Sequence, residues 1–241
     1  MKLTTIFLAL LGLFAVSQAV MLECPETVNV HAVLSEFYLS TGGPLHWIHK
    51  WNISNPNYCT YYGINCAAGD IILTNNNLVG EIPESFWCLE NFKIINLADN
   101  HNLRGNITYM ESLSNVQYFN LSSTAVSGEL PSFIRSELKV SIKLIDLGHT
   151  CITGEIPHSI FLLHYLAALR LDHTDIDGYF PLGLFITPLR ELWIQCTGIE
   201  YADLAIYYFR LLKNIPEAGA PYVIQDECPN GPLPPVWCLV A

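Results

Sequence analysis

At 241 residues, 51% of them hydrophobic and only 14% charged, the chain is too apolar to stay disordered and long enough for one large domain or two small ones. Eleven basic residues against 22 acidic ones give a formal charge of −11, which disfavours binding to a phosphate backbone and so excludes nucleic acid as the expected partner. Eight cysteines are too few for a scaffold held by disulfides alone, but enough for capping bridges.

Residues 1–19 read as a signal peptide. Lys2 supplies the charged start, 6–16 is apolar, and Ser17-Gln18-Ala19 is a small-x-small cleavage signature. Without Lys2, ten basic residues face 22 acidic ones and the charge becomes −12. No later stretch is long and apolar enough to span a bilayer, so the expectation is a soluble secreted chain, free or associated with a wall or matrix, in a compartment where cysteines pair.

An N-terminal cap is expected over 20–70. Val30, Val33, Leu34, Phe37 and Tyr38 recur at helical spacing and form one apolar face, which Thr41-Gly-Gly-Pro44 ends. Trp47 and Trp51 then precede Cys59-Thr-Tyr-Tyr-Gly-Ile-Asn-Cys66.

Self-similarity begins at residue 71. Gly80-Glu-Ile-Pro83 returns as Gly128-Glu-Leu-Pro131 and Gly154-Glu-Ile-Pro157, with weaker echoes at Gly105-Asn-Ile107 and Gly178-Tyr-Phe-Pro181. The glycines are spaced by 25, 23, 26 and 24 residues. Upstream stand the alternating pairs Ile71/Leu73, Ile95/Leu97, Phe119/Leu121, Ile145/Leu147 and Leu169/Leu171, continued by Leu192/Ile194. Phe92, Val116, Ile142, Leu166 and Leu189 add one apolar residue three positions before each later pair. An apolar-x-apolar run is a short strand with one buried face. Three positions past each pair comes Asn76, Asn100, Thr124, Thr150, Thr174 or Thr197, a column suited to bond backbone groups where the chain leaves the strand. The glycine permits a tight turn and the proline starts the return. No coil buries its apolar edge alone, so coils stack. A final segment, 200–241, carries a helical spacing at Leu204, Tyr208 and Leu211 and a phrase, Gly231 to Leu239, that echoes Gly80 to Leu89. It reads as a helix over 201–213 followed by a seventh, terminal coil and cap.

The pattern over 71–199 resembles the plant-type leucine-rich repeat, LxxLxLxxNxLxGxIP. The resemblance implies an α/β right-handed solenoid with a parallel sheet on the concave side, short helices or 3-10 turns on the convex side, and disulfide caps at both ends. Thr replaces the ladder Asn in four of six coils, and Asn100-His-Asn-Leu103 carries one extra residue. The segment before the first coil is similar to the N-terminal cap of such proteins, with Tyr61 where Trp is usual. That similarity implies a Cys59–Cys66 bridge; Cys24 and Cys88 are candidates to tie the cap to the first coil, and the sequence leaves their pairing open. Cys228 and Cys238 are expected to close the far end. Cys151 and Cys196 fall two coils apart, too far to bridge one another, and are expected to be reduced.

Similar proteins include polygalacturonase-inhibiting proteins and receptor ectodomains, which implies a secreted, non-catalytic binding protein that meets a protein or peptide on its concave face. The alternative is a structural wall or matrix component, or an ice-binding surface. The strand positions facing the concave side are Ile72, Asn96, Asn120, Asp146, Arg170 and Trp193, flanked by Tyr118, Asp172, Gln195, His149 and His173. Asp99, Asp146 and Asp172 bias the face toward a basic partner. His149, His173 and Cys196 recur at one position in three coils, with Asp172 or Asp146 nearby, and zinc is the ion such residues bind. Ladder neighbours spread in parallel rather than converge, so no metal or cofactor is expected. No Ser-His-Asp order, glycine-rich phosphate loop or HExxH motif is present, so no enzyme is expected. Of the three N-x-S/T sites, Asn52 and Asn106 are the expected glycan acceptors, because a glycan on Asn120 would block the concave face.

Overall fold

The computed structural model describes residues 22–132, 141–200 and 237–238. The leader, the helix expected over 201–213 and most of the expected terminal coil, Cys228 included, lie outside the described residues. Among the described residues one α-helix, α1 (Val30–Ser40), comes first. Twelve strands follow among the described residues. The first six are β1 (Ile64–Asn65), β2 (Asp70–Ile72), β3 (Val79–Glu81), β4 (Ile94–Asn96), β5 (Asn102–Arg104) and β6 (Tyr118–Asn120). The others are β7 (Ser127–Glu129), β8 (Leu144–Asp146), β9 (Cys151–Glu155), β10 (Ala168–Arg170), β11 (Asp175–Asp177) and β12 (Glu191–Trp193).

The strands alternate between two sides of a right-handed solenoid. The main sheet runs β1-β2-β4-β6-β8-β10-β12, parallel throughout except for the antiparallel β1–β2 pair that joins it to the cap. Its register sets Ile71, Ile95, Phe119, Ile145, Leu169 and Leu192 side by side, each at most 1% exposed. Burying side chains of this size contributes roughly 1.5–3 kcal/mol each, which is why the strands form although each is only three residues long. The flank past the ladder carries short parallel ladders of its own, β3-β5 and β7-β9-β11. Gly80, Gly128 and Gly154 lie in these strands, so their phrases are more than turns. At Gly80 a Cβ would come within 2.1 Å of the Ser40 carbonyl, where the end of α1 packs on the first coil. Return segments form 3-10 turns at Glu84–Cys88, Ile107–Ser112, His158–Leu162 and Leu182–Ile186 on the convex side.

Five of the six Asn and Thr rungs are buried, at 0% exposure for Asn76, Thr124 and Thr150, 1% for Asn100 and 3% for Thr174, while the last, Thr197, is half-buried. Their duties differ. Asn100 Nδ2 donates to the carbonyls of Leu73, Leu97 and Ala98, while its Oδ1 accepts the backbone N–H groups of Asn76 and Leu78 in the preceding coil. Each Thr hydroxyl donates only within its own coil, from Thr124 to Leu121, Thr150 to Leu147, Thr174 to Leu171 and Thr197 to Ile194. The residue before each rung turns the corner with left-handed backbone, φ 50° to 59° at Asn75, Asp99, Ser123, His149, His173 and Cys196.

The cap packs as its apolar spacing demands. Phe37, Tyr38, Trp47, Trp51 and Tyr61 form one buried aromatic cluster. The indole N–H of Trp47 donates to Thr41 and that of Trp51 to Tyr62. Tyr61 stacks on Trp51 at 5.0 Å and donates its hydroxyl to the Asn55 carbonyl. Cys59 is bonded to Cys66 and Cys24 to Cys88.

The far end differs from expectation. Cys238 is bonded to Cys151, so a Cys228–Cys238 bridge does not exist. Cys196 is disulfide-bonded as well, and no described cysteine is free. Cys151 takes its partner not from a neighbouring coil but from a residue 87 positions further along the chain. Trp237 donates its indole N–H to the Thr124 carbonyl and stacks on His101 at 4.5 Å. Trp237 and Cys238 therefore lie against the second to fourth coils, not beyond the sixth. His101 lies in the four-residue stretch that carries the second coil's extra residue, and it supplies the ring on which Trp237 rests. Among the described residues, no helix is long and apolar enough to cross a membrane.

Candidate concave binding face

The last residue of each main-sheet strand faces outward, and the register lines up Ile72, Asn96, Asn120, Asp146, Arg170 and Trp193. The row divides in three. At the cap end, Ile72 is 43% exposed, and Tyr118 in the neighbouring row is 42% exposed. In the middle, Asn96, Asn120 and Asp146 turn their Oδ1 atoms back to accept the backbone N–H two residues on, from Ala98, Ser122 and Gly148. Those side chains brace their own strands where the chain bends. At the far end, Arg170 is held between Asp146 (3.0 Å) and Glu191 (2.6 Å), its guanidinium 4.9 Å from the Trp193 ring centroid. Trp193 and Gln195 are half-buried, and among the described residues Trp193 Nε1 and Gln195 Oε1 have no hydrogen-bond partner.

The acidic character of the face differs from the sequence expectation. Asp146 and Asp172 are only 6% and 5% exposed, so neither is a solvated charge offered to a partner. Arg170 neutralises Asp146. Burial pushes the Asp146 carboxyl above the ordinary aspartate range, while the hydrogen bonds from Arg170 and the Gly148 N–H and the Arg170 charge pull it down. Asp99 remains exposed.

Asp172 sits between the expected histidines. His149 Nε2 is 3.4 Å and His173 Nδ1 is 3.2 Å from its Oδ2, and the two imidazoles stack at 4.1 Å. Burial holds the His149 imidazole below its ordinary pKa, with His173 adding to that and Asp172 and Asp146 opposing it. Cys196, third in the column, is withdrawn by its disulfide. Gly148 makes room for the carboxylate, since a Cβ there would lie 2.7 Å from Asp172 Oδ1.

A polar groove that the column pattern did not reveal runs along the loops entering the strands, lined in part by Glu90, Lys93, Asn115, Gln117, Lys143 and Tyr165. Its walls are tied across coils by Asn115 donating to the Glu90 carbonyl and Lys143 donating to Gln117. The repeat period of Lys93, Gln117 and Lys143 was its only signal. Asn52 and Asn106 are exposed and engage only their Oδ1 atoms, with Ser54 and Thr108. Asn120 is half-buried. The Thr column expected to be internal is buried at 124, 150 and 174, which removes those hydroxyls from any ice surface.

A family model described as Leucine Rich Repeat matches residues 70–89. Receptor-like protein 35 of Arabidopsis thaliana is 30% identical over 116 residues, 47% of this chain and 12% of the relative. Receptor-like protein 32 of the same plant is 34% identical over 116 residues, 47% of this chain and 13% of the relative. The chain thus spans only a small part of the curated relatives it matches. Among solved structures, the ectodomain of the Arabidopsis thaliana membrane receptor kinase GASSHO1/SCHENGEN3, in complex with Casparian strip integrity factor 2, aligns with a TM-score of 0.64 at 25% identity, over 70% of this chain and 21% of that one. Six main-sheet coils in unbroken register, Asn and Thr rungs at the strand exits and these matches give the chain a leucine-rich repeat fold similar to that of plant receptor-like proteins and receptor ectodomains.

Proposed function

We propose that this chain is an extracellular, non-catalytic binding module that takes a protein or peptide partner on the concave face of its main sheet. The observation that carries the reading is the pair of exposed apolar side chains, Ile72 and Tyr118, on a sheet whose neighbouring side chains are already satisfied by their own backbone. Such a surface loses little freedom when a partner docks, and exposed aromatic residues are favoured anchors. The receptor ectodomain it resembles was solved with a partner bound. Disulfides and receptor-like relatives support an extracellular location. A charge of −11 favours a basic partner, although Asp99 rather than Asp146 or Asp172 is the face's available acid. Asn52 and Asn106 are the proposed glycan acceptors.

The test is affinity capture from an extracellular extract with the wild-type chain and with Ile72→Ala/Tyr118→Ala, followed by mass spectrometry. A discrete partner recovered by the wild type and depleted by the double variant supports the reading. Recovery of the chain only with insoluble wall, with no discrete partner, contradicts it.

A further inference from the structure

We propose that His149, Asp172 and His173 form a binding site for a zinc-like divalent transition ion at the edge of the concave face. One ligand atom from each of the three lies within 4.8 Å of the others. Asp172 Oδ2 is 3.4 Å from His149 Nε2 and 3.2 Å from His173 Nδ1. A tetrahedral ion about 2.0–2.1 Å from nitrogen and oxygen ligands sets them roughly 3.3 Å apart, so two of the three edges already match. The imidazoles carry the third: they stack nearly parallel at 4.1 Å, so both rings must tilt toward a common point beside Asp172 to close it, and side chains 44% and 36% exposed leave them the room to do so.

The scaffold is built for this. The carboxylate is held, with its side chain 7% exposed and Oδ1 set against Gly148, where an added Cβ would come within 2.7 Å of it. The two buried acids of this face are partnered differently. Asp146 has Arg170, whereas Asp172 has no Lys or Arg partner among the described residues, and its only charge-compensating neighbours are the two imidazoles. A buried carboxylate flanked only by imidazoles lacks a full counter-charge, and a divalent cation supplies it. The backbone is pinned at the same place, with the His149 N–H donating to the Asp172 carbonyl at 2.7 Å and the His173 N–H donating to Gln195. Two nitrogens and one oxygen suit zinc, cobalt, nickel or copper rather than calcium or magnesium, which prefer oxygen alone. Three protein ligands leave a fourth position for water or a donor from a docked partner.

The experiment is calorimetric titration of the untagged, disulfide-intact chain with zinc chloride near neutral pH, repeated for His149→Ala, His173→Ala and the control His164→Ala. The expected result is one zinc per chain, with affinity reduced at least ~10-fold in each site variant and unchanged in the control. Thermal unfolding establishes that each variant is folded. If a site variant fails to fold, cobalt(II) absorption of the wild-type chain decides the matter, since a tetrahedral ligand set gives strong visible bands. Zinc binding that is absent, or equal in wild type and site variants, or cobalt absorption no stronger than that of the aqueous ion, overturns the proposal and leaves the trio as a hydrogen-bonded cluster only.

Discussion

The Oδ1 of Asn100 accepts the backbone N–H of Asn76 at 3.1 Å, so the second coil's rung closes the turn of the first. Thr150 makes no such link and reaches only its own Leu147 carbonyl. The two rungs therefore carry unequal energies. Asn100→Ala strands two buried N–H groups and removes three donated bonds, and is expected to cost about 3 kcal/mol or more. Thr150→Val keeps the shape and removes one bond, and is expected to cost about 1 kcal/mol. Urea unfolding followed by circular dichroism checks the ratio. Equal losses would mean that the rungs act by volume alone.

The Cys151–Cys238 bridge joins residues 87 apart in sequence. In the chain-entropy account a loop of that length contributes about 4–5 kcal/mol, and real bridges commonly deliver less. Cys238→Ser paired with Cys151→Ser is expected to lower unfolding free energy by roughly 2–4 kcal/mol. Cys59→Ser paired with Cys66→Ser, which opens a separation of only 7, is expected to cost less. Thermal unfolding of both double variants gives the comparison.

Gly148 is the tightest point beneath Asp172, where an added Cβ meets Oδ1 at 2.7 Å. Gly148→Ala must push the carboxylate aside, and overpacking of this kind costs about 1–3 kcal/mol. The expected outcome is a lower melting temperature, together with altered imidazole resonances of His149 and His173 by NMR. A variant as stable as the wild type, with unmoved resonances, would show that the site tolerates the extra methyl.

Burial raises the folded pKa of Asp146 above its unfolded value, so the folded chain holds that proton more tightly. The group then favours folding below the unfolded pKa, and this contribution is lost as pH climbs through the raised folded value. In Asp146→Asn the contribution is gone. Wild-type stability measured against the variant should fall as pH rises across that acidic window and level off above it. A difference that grows with pH would mean that Arg170 outweighs burial.

Much of the fold was legible because its physics is periodic. The register of Ile71 through Leu192 and the burial of the rungs from Asn76 to Thr174 both follow from apolar alternation and polar spacing, and the structure reproduces them. The short strands of the flank were missed because Gly80 and Gly128 look like turn residues when read alone, and their pairing comes only from stacking. The bridge between Cys151 and Cys238 was missed for a different reason: no repeat rule says where a chain end folds back. The outward columns were correctly aligned, but spacing says nothing of how deep a side chain sits. Asp146 and Asp172 looked like surface charges, yet Arg170 and the stacked imidazoles cover them.

The most direct test of concave-face recognition is the affinity of a captured partner for three purified chains, measured by isothermal titration calorimetry. These are the wild type, Ile72→Ala/Tyr118→Ala on the main sheet, and Phe161→Ala on the exposed 3-10 return at His158–Leu162. The account predicts that the sheet variant binds at least ~10-fold more weakly while the return variant binds as the wild type does. Weakening confined to Phe161→Ala, with full affinity in the sheet variant, would place recognition on the convex side and contradict the account.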